Sequence, residues 1–140
     1  MIDIYIIIVV KLIHWRRIVM KFLWTTILVN DMEETLKFYQ EVVGLKLDRR
    51  FNAGPGMEIC FLGEDDTKIE LIHNEKIKHV DAGNAVTLGF RVDSVDEMIR
   101  FVGERGIEIK TGPVQPNPNV KYFIVQDPNG VKVQFAEQIK

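Results

Sequence analysis

The chain has 140 residues, 46% of them hydrophobic, with 18 basic and 20 acidic residues and a formal net charge of −2. That length supports one core without staples, and a near-neutral balance with no Lys/Arg run interleaved with aromatics excludes a nucleic-acid groove. The single cysteine, Cys60, excludes an internal disulfide and sits in an apolar strand-like run, which reads as a small core residue in a reducing compartment, the cytoplasm.

Residues 1–19 differ from everything after them. The run Ile4 to Val10, with Leu12 and Ile13, falls short of the ~20 residues a membrane helix needs. Lys11, Arg16 and Arg17 follow the apolar run instead of preceding it, so it is no signal peptide either. Two readings stand for this extension. In one it is translated leader and Met20 is the natural start, because Arg16-Arg17 is what a purine-rich ribosome-binding site yields when translated; in the other its β-branched residues add an edge strand.

From Lys21 the elements follow from periodicity. Phe22 to Val29 alternates as a strand; Asp31 then caps a helix, with Glu34 completing a capping box, and Leu36, Phe38, Tyr39 and Val43 follow before Gly44 ends it. Strands are predicted at Lys46 to Phe51, Met57 to Leu62 and Lys68 to His73. The polar, aperiodic stretch Asn74 to Asn84 reads as a linker. A strand from Val86 to Val92 comes next, then a helix with Ser94 and Glu97 as its capping box, Met98 and Phe101 on its apolar side and Gly106 as its stop. Strands are expected near Ile107 to Lys110, at Tyr122 to Gln126 and at Val131 to Ala136. The three prolines between Thr111 and Asn119 predict a loop, and Asp127-Pro128-Asn129-Gly130 a tight turn.

The order of elements repeats. Val29-Asn30-Asp31-Met32-Glu33-Glu34 returns 63 positions later as Val92-Asp93-Ser94-Val95-Asp96-Glu97, and the flanking strands keep the same offset within one residue. Two copies of one unit imply an internal pseudo-twofold with a cleft between the halves. The fold class is therefore α+β: tandem βαβββ modules, 21–74 and 85–137, forming a curved mixed sheet around a central cleft in a single domain, 20–140.

The tandem itself, Phe38-Tyr39 followed by Val43-Gly44-Leu45, the strand Lys68-Ile69-Glu70-Leu71 and the Asp-Pro-Asn-Gly turn before Val131-Lys132-Val133 resemble the vicinal oxygen chelate superfamily. That superfamily groups glyoxalase I, the bleomycin-resistance proteins and the extradiol dioxygenases, and the wording is nearest to glyoxalase I. The resemblance implies a homodimer and a divalent metal held by one side chain from the first and last strand of each module. Carried onto this chain those positions are Trp24, Glu70, Thr87 and Gln134, where glyoxalase I has His first, Glu or His third and Glu fourth. Three of the four are substituted, Glu70 alone being a proper ligand. An indole cannot ligate and Gln134 offers a neutral carbonyl, so no metal cofactor is expected. His73, three residues beyond Glu70 on one strand, points to the opposite face and cannot share an ion with it.

Alternation assigns the cleft lining. Trp24, Thr26 and Leu28 share one face, as do Thr87, Gly89 and Arg91, Glu70 with Ile72, and Lys132 with Gln134 and Ala136. Val86, Leu88, Phe90 and Val92 go under the helix, and Tyr39 and Tyr122 are core residues whose hydroxyls reach the surface. The candidate ligand-binding residues are thus Trp24, Thr26, Glu70, Thr87, Arg91 and Gln134. Each has a structural alternative: Trp24 as a plug for the space of a missing metal, Arg91 and Lys132 as solvated rim charges, Glu70 as the partner of Arg91. Two functions follow from this set. The first is metal-free binding of a small polar organic molecule, resembling the bleomycin-resistance branch. The second is a glyoxalase I-like lyase or isomerase with Glu70 as general base. Neither reading involves nucleic acid or a membrane.

Overall fold

The computed structural model describes Ile4 and residues 20–140, so both readings of the N-terminal extension lie outside the described residues. Chain order from Trp24 is β1 (Trp24–Leu28), α1 (Met32–Lys37) running on as a π-helical segment (Phe38–Val42), β2 (Leu47–Asn52), β3 (Met57–Leu62) and β4 (Lys68–Asn74). The second half gives β5 (Thr87–Arg91), α2 (Val95–Glu104), β6 (Thr111–Asn117), β7 (Val120–Gln126) and β8 (Lys132–Gln138).

Local chemistry sets the helix ends. Asp31 and Ser94 are extended, and their side chains accept from the backbone amides of Glu34 and Glu97 at 2.8 and 3.2 Å, satisfying donors that the first helical turn leaves over. At the other end of α2, Gly106 takes a φ of 68° while Ile107 N donates to Val102 O at 3.0 Å, a left-handed glycine stop.

Each half closes into its own four-stranded sheet, in the orders β1-β4-β3-β2 and β5-β8-β7-β6. β1 runs parallel to β4, and β5 parallel to β8, the other pairings being antiparallel. This is the tandem βαβββ architecture expected from the repeat, made of two curved sheets and no closed barrel. One face of each sheet carries the core. Ile27, Cys60, Leu62, Ile69 and Leu71 from the first, and Phe123, Val125, Val133 and Phe135 from the second, join Leu36, Phe38, Tyr39, Val95 and Val102 in one buried cluster. The helical layer therefore lies against both sheets and leaves their opposite faces bare.

The link between halves is polar and buried. Asp127 accepts from the Tyr39 hydroxyl at 2.8 Å and from the amides of Asn129 and Val131 at 2.7 and 2.9 Å. Asn129 donates to Thr35 Oγ1 at 3.0 Å and accepts from Asn30 N at 2.8 Å. The Asp-Pro-Asn-Gly turn, with Gly130 at a φ of 86°, is thus both a β7–β8 connection and a plug in the side of α1. Tyr39 departs from expectation here: its hydroxyl never reaches the surface.

Three other expectations are corrected. Thr111–Asn117 is a strand and not a loop, whereas Ile107 to Lys110 is not. Its ladder to β7 is matched only at Thr111↔Ile124, Val114↔Tyr122 and Asn117↔Val120, with a register shift in each interval. β6 is an edge strand, and its shifts leave Pro113 and Pro116 at positions that owe the ladder no N–H. Val86, expected under a helix, is 61% exposed, because the strand begins one residue later.

Candidate ligand-binding site

Strand register decides which side chains meet. In the first sheet Thr26 stands opposite Glu70, Glu70 opposite Phe61, and Phe61 opposite Arg49. Trp24 and Leu28 share that face with Thr26, as do Ile72 with Glu70, Ile59 with Phe61 and Phe51 with Arg49. In the second sheet Gly89 stands opposite Gln134 and Thr87 opposite Lys132, with Ile124 and Tyr122 continuing the face on β7. The alternation read from sequence is therefore the phase of both sheets, and each bare face is a shallow cup. His73 stands opposite Glu58 on the other side of the first sheet from Glu70.

The first cup is mainly apolar with one carboxylate. Thr26 Oγ1 donates to Glu70 Oε1 at 2.6 Å. The Trp24 indole meets the Phe61 ring edge-on at 5.5 Å between centroids, so it reaches across β4 beside Glu70 to do so. Phe51 stacks on Phe61 at 6.4 Å, and the Arg49 guanidinium lies 4.5 Å above the Phe61 ring. Phe61 is buried, while Trp24 stays 44% and Phe51 40% exposed. Phe51, Phe61 and Arg49 were missed as lining residues. The signal was available, since pairing Met57 to Leu62 antiparallel with Lys68 to His73 puts Phe61 beside Glu70.

The second cup is weaker chemically. Gln134 Oε1 lies 3.6 Å from where a Cβ on Gly89 would sit, an ordinary contact that places the amide over that glycine. Lys132 spends its ammonium on Asn84 O at 2.9 Å, behaving as a rim residue. Arg91 makes no ion pair with Glu70, which removes the intramolecular partner considered for that carboxylate.

The four family metal positions thus fall as two pairs, Trp24 with Glu70 and Thr87 with Gln134, on separate sheets. Among the described residues no hydrogen bond joins one pair to the other. Two grooves of about 280 and 410 Å³ do run between the halves along β1 and β5, yet neither is lined by Trp24, Glu70 or Gln134. They are flanked by the outer edges of β1 and β5, which pair only with β4 and β8. As a metal centre the donor set does not fit: it offers one carboxylate, a hydroxyl, a neutral amide and an indole without a usable lone pair. No cluster of three His, Cys, Asp or Glu able to hold an ion occurs among the described residues. Nor is Cys60 a nucleophile, since it is fully buried and burial pushes its thiol up to about 11.

Paired four-stranded sheets backed by a shared helical layer define a class of two-module α+β proteins. The chain belongs to the Glyoxalase/Bleomycin resistance protein/Dioxygenase superfamily, whose family model matches residues 21–135. It is 34% identical over 127 residues to the lactoylglutathione lyase of Neisseria meningitidis, covering 85% of this chain and 91% of that relative. The lactoylglutathione lyase of Haemophilus influenzae is 33% identical over 128 residues, covering 84% and 93%. Among solved structures, the trypanothione-dependent glyoxalase I of Leishmania major superposes with a TM-score of 0.74 at 22% identity, covering 85% of this chain and 87% of that one. An antibiotic binding protein from Streptomyces gives 0.69 at 21% identity, covering 87% and 98%. No helix among the described residues is long and apolar enough to cross a membrane.

Proposed function

We propose that the chain is a cytoplasmic protein that binds a small polar organic molecule with a flat apolar part, without a metal ion, on the cups carrying Trp24, Thr26, Glu70, Thr87, Arg91 and Gln134. The observation that carries this reading is Glu70: one carboxylate, held by Thr26, on a largely aromatic and partly open face beside an indole. A buried or half-buried charge is costly without a partner, so a protein that keeps one there keeps it for something that arrives. The open faces also support a homodimer, in which a second copy of the chain covers the cups and turns shallow surfaces into an enclosed cleft. Elemental analysis of purified protein, combined with a thermal-shift screen of aromatic and heterocyclic compounds in the presence of chelator, tests the reading. Compounds that raise the melting temperature in chelator are the expected result; stoichiometric nickel, zinc or iron overturns it.

A second reading is favoured by the relatives, which are named lactoylglutathione lyase and match over most of their length. In it Glu70 is a general base that takes the proton next to a carbonyl, the C–H pair forming a C=C bond as the carbonyl π pair moves onto oxygen, where neutral donors stabilise it in place of an ion. Glu70 then returns the proton to the former carbonyl carbon. Formation of lactoylglutathione from the hemithioacetal in chelator, abolished by Glu70→Gln, is what this reading requires. Absence of turnover leaves the binding function alone.

A further inference from the structure

Among the described residues, the two cations on the same face as Glu70, Lys68 and Arg49, each have another partner. Lys68 lies two residues away on the same face, but its ammonium bonds Gly63 O at 2.8 Å and approaches Asp48 at 3.6 Å. Arg49 spreads over the Phe61 ring and approaches the same Asp48 at 3.8 Å. Asp48 thus turns the Lys68 ammonium toward β2, while the Arg49 guanidinium stays stacked over Phe61. Glu70 is left with a single hydroxyl donor among the described residues, although an ionised carboxylate accepts about four hydrogen bonds. Besides Thr26, Phe61 stands directly opposite it, and Trp24, 44% exposed, reaches across β4 to Phe61.

A carboxylate flanked by an open π face is complementary to one class of ligand. Hydrated metal ions gain nothing from the indole, anions are repelled by Glu70, and neutral molecules leave the charge uncompensated. An organic ammonium uses both features, through Coulomb attraction to the carboxylate and attraction of its CH–N⁺ surface to the ring quadrupole. We infer that the first cup is selective for an organic cation, a protonated or quaternary amine on an aromatic or aliphatic body, with its nitrogen at Glu70 and its body on Trp24. The inference rests on the binding function proposed above and narrows it to a charge class.

The test compares three probes of similar size on the intact protein: benzyltrimethylammonium, benzyl alcohol and benzoate. Calorimetry gives affinity, and the fluorescence of Trp24, read in a Trp15→Phe background, locates the site. The cation should bind at least tenfold more tightly than either other probe, and should weaken at least threefold between 50 and 500 mM salt, as a partly exposed charge pair must. Glu70→Gln should cost at least tenfold in its affinity and Trp24→Ala several-fold, while Glu70→Asp, checked for folding by circular dichroism, should retain part of it. If benzyl alcohol or benzoate binds equally well with the same Trp24 response, the cation inference is overturned and the small-molecule function stands. If no probe of any charge alters Trp24, the cup is not a binding site and both readings fall.

Discussion

Tyr39 buries its whole side chain and donates its hydroxyl proton to Asp127, and burial, followed by the Asp127 charge and that hydrogen bond, holds its phenol well above the usual tyrosine range. The sign of the resulting pH dependence is fixed. A group whose pKa is raised in the folded state contributes fully below its unfolded value, near 10, and loses that contribution as pH rises beyond it, because only the unfolded chain gives up the proton. Denaturant titrations above pH 10 should therefore show stability falling by up to about 1.4 kcal/mol per pH unit more steeply than in Tyr39→Phe. At neutral pH the same variant should be less stable by about 1–3 kcal/mol, since the buried Asp127 loses a donor. Equal alkaline slopes in the two proteins would refute the assignment. Glu70 carries the opposite expectation, as it makes no ion pair among the described residues and its side chain serves a face instead of the core. Glu70→Gln should leave the melting temperature unchanged or slightly higher, and a loss on the order of 3 kcal/mol would show that it belongs to a structural ion pair after all.

Helices α1 and α2 are legible because their ends obey local rules. Asp31 and Ser94 cap them through short-range bonds that no tertiary contact needs to supply, so Ser94→Ala should destabilise by about 1 kcal/mol in urea titrations without changing the fold. Strands β3, β4 and β8 were equally readable, their alternation matching the register that the sheets adopt. What escaped reading was non-local. β6 looked like a loop because proline counts against strands, and only its edge position and shifted ladder explain why prolines are tolerated there. The turn at Asp127 was recognised by its own chemistry, but its anchoring to Thr35, Tyr39 and Asn30 joins residues about a hundred apart in sequence. The candidate site shows the same division: face assignments came from period-2 alternation, whereas the Trp24–Phe61–Phe51 cluster depends on which strands become neighbours.

At the scale of the molecule, each half supplies two of the four family metal positions, and each pair sits on adjoining strands of one sheet. A metal centre at those positions would therefore need donors from both halves together. In this chain the second half holds only Thr87 and Gln134, while the first retains Glu70 beside an indole. The wild type should give no thermal shift with Ni²⁺ or Zn²⁺. The triple substitution Trp24→His, Thr87→His, Gln134→Glu, which restores the family donor types, should gain one. At a hundredfold excess over the dissociation constant the gain amounts to about 2.7 kcal/mol. A shift in the wild type that Glu70→Ala abolishes would instead show that the native donors suffice.

The lone thiol gives this protein an internal stopwatch. Cys60 lies beneath the helical layer with no exposed surface and a pKa near 11, so an alkylating reagent reaches it only when the first sheet parts from its cover. At modest reagent concentration the rate of labelling then measures the fraction of molecules open at any moment, and at saturating reagent it measures the opening rate itself. A ligand seated on the opposite face of the same sheet touches no part of the thiol. It should nevertheless slow the labelling in proportion to its occupancy, giving an assay for unknown ligands that requires neither chromophore nor turnover.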